Sequence, residues 1–178
     1  MKKLIFLIFP LVLVFSACSK EYIEDDANVM LKKSVKASPV ERPMYVWFSC
    51  TSDTSVPPII LPNGIQLASA GFVSGHATHI GVVDTQNSRW TLLGIAPGPE
   101  MNQMTEYVQG TITGANGDSF FYTSVMTVQM PALTFTGIVT TNGGTGRFVN
   151  ATGTVIMDGI VDPVTGMPSW TAKGTMTY

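Results

Sequence analysis

The chain predicts an all-β fold: a single antiparallel eight-stranded β-barrel over residues 44–178, with a β-sandwich as the alternative. Three observations predict it. Apolar and polar residues alternate with period two over long stretches, as half-buried strands require. Turn chemistry built on Gly, Pro and Asn separates those stretches at regular intervals. Threonine dominates, with twenty-one copies after Met44, and threonine, valine, isoleucine and aromatics favour strands. Closing the sheet removes exposed edges, which matters for a chain so rich in threonine and poor in charge.

The elements follow in order. Tyr45 to Ser49 supplies a first strand. Residues 51–64 read as a loop, with Pro57-Pro58 and Pro62-Asn63-Gly64. Phe72 to Asp84 and Arg89 to Ile95 read as a hairpin across Thr85 to Ser88. Residues 96–103 read as another loop, carrying Pro97-Gly98-Pro99. Glu106 to Thr113 is joined to the next strand by Ala115-Asn116-Gly117-Asp118. Asn-Gly between alternating runs is the strongest short hairpin signal. In that next strand Phe120, Tyr122, Ser124, Met126, Val128 and Met130 share one face. Leu133 to Thr141 ends at Asn142-Gly143-Gly144. Gly153 to Val161 pairs with the last strand across Asp162-Pro163-Val164-Thr165-Gly166. There Trp170, Ala172, Gly174, Met176 and Tyr178 face one way and Thr171, Lys173, Thr175 and Thr177 the other.

Residues 44–178 have the length of one domain. Three basic residues, Arg89, Arg147 and Lys173, stand there against seven acids, a net charge of −4. Such a body has no basic patch for nucleic acid. Residues 18–43 differ: they carry Lys20, Glu21, Glu24, Asp25, Asp26, Lys32, Lys33, Lys36, Glu41 and Arg42 without periodicity, and Pro39 and Pro43 close them. They read as a charged, solvated tether.

The first seventeen residues have another logic. Lys2 and Lys3 precede an apolar run from Leu4 to Phe15, interrupted by Pro10, then Ser16, Ala17 and Cys18. A spanning helix needs ~20 apolar residues, more than this run holds, so the pattern is that of a cleaved signal. The segment Phe15-Ser16-Ala17-Cys18 resembles the lipobox of bacterial lipoproteins, with Phe15 where that family usually has leucine. The resemblance implies cleavage after residue 17, lipidation of Cys18 and a membrane partner held through acyl chains. Stable anchoring takes more than one chain; the three of that family suffice. It also implies a cell-envelope address, at the outer membrane of a diderm bacterium. Glu24-Asp25-Asp26 resembles the surface-export signals of some such lipoproteins, and reads equally as an ordinary charge run. Cys50 is the second of two cysteines; in its apolar run it reads as a buried, inert thiol.

Two glycine motifs mark the body. Gly143-Gly144-Thr145-Gly146-Arg147-Phe148-Val149-Asn150-Ala151-Thr152-Gly153 allows a tight turn through its glycines, after which Phe148 can plug a barrel end and Ala151 and Gly153 can pack closely. No helix follows, so a phosphate loop is not implied. The second is Gly75-His76-Ala77-Thr78-His79-Ile80-Gly81. Together they resemble the signatures of small secreted β-barrel proteins, and the first is similar to the glycine-rich segment of dirigent proteins. These belong with allene oxide cyclases among eight-stranded, lipocalin-like barrels. The resemblance spans roughly residues 72–178 and implies fold more than activity; it carries no active-site residue across.

His76 and His79 in one strand point to opposite faces, so they do not share a metal ion. The sequence implies no metal, no cofactor and no assigned catalytic residue. Met101-Asn102-Gln103-Met104 reads as packing under a loop. His79, flanked on its face by Gly75, Ala77 and Gly81, is the first choice for a polar group inside the barrel, followed by Glu106 and Arg147. Met126, Met130, Trp170 and Tyr178 are expected to line an interior that holds a small apolar ligand, since eight-stranded barrels either hold one or fill with their own side chains. Two other readings stand beside it: a non-catalytic structural or surface-interaction module with a threonine-rich outer face, and an isomerase- or cyclase-like enzyme. The sequence sets no oligomeric state.

Overall fold

The computed structural model describes residues 39–62 and 64–178. The signal segment, Cys18 and the tether through residue 38 lie outside the described residues. Eleven strands follow in order: β1 (Glu41–Ser52), β2 (Ile59–Ile60), β3 (Gln66–Leu67), β4 (Ala70–Ala77), β5 (Gly81–Val82), β6 (Arg89–Pro97), β7 (Gln103–Thr113), β8 (Ser119–Gln129), β9 (Thr134–Gly144), β10 (Thr152–Val161) and β11 (Pro168–Thr177). Two 3-10 turns, Thr85–Asn87 and Gly146–Phe148, sit between them.

Eight strands close a ring of antiparallel hydrogen bonds: β1, β11, β10, β9, β8, β7, β6, β4 and back to β1. The remaining short strands are accessory. β5 adds to β4, and β2 pairs with β3 as a two-residue hairpin outside the ring. The all-β, eight-stranded barrel is therefore present, and its core is the barrel interior. Period two explains it residue by residue. In β8 Phe120, Tyr122, Ser124 and Val128 are buried, while Phe121, Thr123 and Val125 are exposed. In β11 Ala172 and Met176 are buried, and Thr171, Lys173 and Thr175 are exposed.

Small and large residues interlock across the interior. Gly110 pairs with Tyr122 in the β7–β8 ladder. A Cβ at position 110 would come within 2.6 Å of the Tyr122 ring, so glycine is what lets that ring turn inward.

Three details differ from the sequence reading. β1 begins at Glu41, inside the stretch read as tether, because Glu41 to Met44 pair with Thr177 to Gly174 of β11. The segment from Phe72 to Asp84 is not one strand. It breaks after Ala77, where Thr78 to Ile80 turn and His79 takes φ 69°. β4 consequently pairs with β6 at only three positions, Ala70 to Phe72, and chiefly with β1 at Val46 to Ser52. The two predicted loops are also partly ordered, as β2 within the first and as the end of β6 and start of β7 within the second.

Candidate functional site

The two ends of the barrel are built differently. Phe148, in the 3-10 turn between β9 and β10, is fully buried and closes one end. Its ring meets Tyr178 edge-on at 4.9 Å and Phe120 at 6.1 Å. The Arg147 guanidinium lies over the same ring at 4.8 Å, pairs with Asp118 at 3.5 Å and donates to the His79 carbonyl. The expected plug is present, with Ala151 fully buried beside it.

At the other end the interior opens into a cavity of about 620 Å³. Its wall comes from the inward faces of β1 and of β6 to β11: Cys50, Trp90, Leu92, Met104, Glu106, Val108, Met126, Val128, Phe135, Met157 and Trp170 among them. Its rim comes from three connections: Leu61 and Ile65 to Ala68 around β3, Met130 and Leu133 between β8 and β9, and Asp162 to Met167 between β10 and β11. Tyr122 and Trp170 form its floor. They also line a residual space of only about 10 Å³ on the plugged side, where Met44, Phe48, Ile112 and Met176 fill the barrel. Phe48 locks the Trp170 indole edge-on at 5.0 Å. One barrel is thus packed shut in one half and hollow in the other.

The seven predicted interior residues separate accordingly. Glu106, Met126 and Trp170 line the cavity, and Met130 stands at its rim, 38% exposed. His79, Arg147 and Tyr178 do not line it. They meet at the plugged end, where the His79 ring lies 5.8 Å from Tyr178 and its Nε2 is 2.9 Å from the Pro43 carbonyl. The expectation for His79 fails because alternation was extended through a turn: the chain reverses at His79, so its side chain has no inward strand position. Tyr178 follows the inward alternation of β11, but at the strand's far end, under the plug. His76 is exposed on β4.

Among the described residues no group of three His, Cys, Asp or Glu side chains converges. The cavity's chemistry rests on a few groups in an apolar wall. Burial pushes the Cys50 thiol up to about 12, with a side-chain hydrogen bond from Trp170 acting weakly the other way. It is a protonated, unreactive thiol at neutral pH, as its apolar context suggested. Burial likewise raises the Tyr122 phenol, with Cys50 as a lesser cause. Glu106 is also raised, by desolvation. Among the described residues its carboxyl has no hydrogen-bond or ion-pair partner. Asp162, at the rim, is lowered because it accepts from the Val164 and Thr165 amides at 2.7 and 3.1 Å.

Sequence reading missed the rim residues Leu61, Ile65 and Leu67. Their signal was an apolar pattern inside a proline-bounded loop, Ile59-Ile60-Leu61 and Ile65-Gln66-Leu67-Ala68, where a solvated loop would be polar.

Fold and cavity together define a closed eight-stranded barrel, sealed at one end and hollow at the other. Comparison with protein-family models, with curated proteins and with solved structures returned no match.

Proposed function

We propose that the protein is a lipid-anchored envelope protein whose barrel binds one small, largely apolar ligand. The observation that carries the binding reading is the cavity of about 620 Å³, walled by apolar side chains and set behind three short connections. Ligand sites have this form: concave, mostly apolar, with few polar groups. Each ligand methylene moved from water into such a wall contributes about 0.8 kcal/mol. The anchor rests on Lys2-Lys3, the apolar run and Phe15-Ser16-Ala17-Cys18.

Native mass spectrometry of the protein, purified gently from its own host, tests the binding. A reproducible extra mass, lost on denaturation, is expected; a bare polypeptide under conditions that preserve other barrel complexes counts against it. Feeding cells an alkyne-tagged fatty acid tests the anchor. Label should enter the wild type and not Cys18→Ser.

One observation favours a second reading, a surface-interaction module. Tyr107, Val125, Ile138 and Ile156 are direct cross-strand neighbours over β7, β8, β9 and β10, and all are exposed. The outer face is therefore not uniformly threonine-rich but carries an apolar row. Contiguous exposed apolar surface marks interaction sites. Ile138→Lys with Ile156→Lys should weaken surface association while leaving cavity binding unchanged.

A further inference from the structure

We infer that the cavity selects hydrophobic organic cations, such as long-chain amines, with Glu106 pairing the ligand's ammonium group and the apolar wall taking its chain. This deepens the ligand-binding reading and rests on it.

The charge pattern of the wall is one-sided. Among the described residues two carboxyl groups reach the cavity, Glu106 from β7 and Asp162 at the rim, and no Lys, Arg or His lines it. Its other titratable groups are Cys50 on β1 and Tyr122 on β8, both held neutral by burial. Glu106 occupies an inward position between Met104 and Val108 of the same strand, opposite Ile95 of β6 and Met126 of β7's other neighbour, β8. Nothing among the described residues satisfies its carboxyl. A desolvated carboxylate is costly unless paired. Glu106 is only partly buried, so its carboxyl is open to the cavity rather than sealed in the wall. An ammonium ion supplies the missing charge and up to three hydrogen-bond donors.

The rest of the wall suits the same ligand. Trp90, Trp170 and Tyr122 present aromatic surface to the cavity, and a cation gains from such faces. A fatty acid is disfavoured on the same grounds, because its carboxylate would enter a space where the described residues place a carboxyl group and no positive charge. A neutral alcohol can donate one hydrogen bond to the Glu106 carboxylate or accept one from its protonated form, but it brings no charge to pair with it.

Three decyl probes of equal chain length separate these cases: decylammonium, decanol and decanoate, titrated calorimetrically into the full-length protein. Decylammonium is expected to bind at least about tenfold more tightly than decanol, and decanoate most weakly. Glu106→Gln, nearly isosteric, should erase the preference for the amine, bringing decylammonium affinity down to about that of decanol in the same variant. Equal affinity for amine and alcohol, a preference for decanoate, or an amine preference that survives in Glu106→Gln would overturn the inference while leaving the cavity as a binding site. Absence of saturable binding by all three would overturn the ligand-binding reading itself.

Discussion

Glu106 and Met126 face one another across the β7–β8 ladder, and both line the cavity. The pair sets a carboxyl group against a thioether in an apolar wall. Its consequence for stability has a definite sign. Below its ordinary value of 4.5, Glu106 is protonated in both folded and unfolded chains. As pH rises, the unfolded chain releases its proton first, because burial raises the folded value. The folded state then holds the extra proton, and its stability falls until pH passes the folded value. Glu106→Gln should therefore be more stable than wild type at about pH 7 and equal to it at about pH 3.5. Urea denaturation at both pH values checks this. A gap of the same size at both would refute the desolvated carboxyl.

Phe148 is the plug of the closed end, fully buried and packed between Phe120 and Tyr178. Phe148→Ala should cost about 3–5 kcal/mol, as large-to-small core changes do. Because the packed half of the barrel separates it from the cavity, ligand affinity of the folded variant should change little. Denaturation paired with a decanol titration reads both effects.

Gly146 combines two demands, a φ of +53° and the Asp118 carboxylate where a Cβ would stand. Gly117 has φ +85° with open space around it. Gly117→Ala should cost about 1 kcal/mol through backbone strain alone. Gly146→Ala should cost more, about 2–3 kcal/mol, because Asp118 must also move from its Arg147 partner. Equal urea midpoints for the two variants would contradict this.

Cys50 should resist a polar alkylating reagent at about pH 8 in the native protein, since its thiol is buried and held near 12. Peptide mapping after labelling should find the Cys50 peptide unmodified until denaturant is added. Rapid native labelling would show that the cavity wall opens to solvent.

Much of the barrel was legible because alternation survives wherever a strand has one buried face. β8 and β11 could be read position by position, and Asn116-Gly117 and Asp162 to Gly166 located their turns. The plug was legible too, since Gly143, Gly144 and Gly146 beside a lone Phe148 leave few other conformations. Alternation failed at His79, where nothing in Ala77-Thr78-His79-Ile80 announces a turn: the reversal is imposed by the tertiary fold, with Thr78 accepting the Tyr45 amide at 2.8 Å. The hollow half was not legible. Whether Met126 and Trp170 meet across the barrel or leave space between them depends on how far Leu61 and Ile65 to Ala68 stand over the mouth, which no local pattern encodes. Glu106 could be seen to share a face with Met104 and Val108, but its lack of a partner is a property of the closed barrel.

The central claim is that the hollow half binds an apolar ligand, and filling the hollow tests it most directly. Met126 sits partly buried on the cavity wall, so Met126→Trp should occupy the space with modest cost to the fold. Calorimetric titration of decanol into the full-length wild type and the full-length variant is the measurement. Saturable one-to-one binding in wild type, lost in a variant of unchanged fold, is the predicted result. Binding of equal strength in both, or none in wild type, would contradict it.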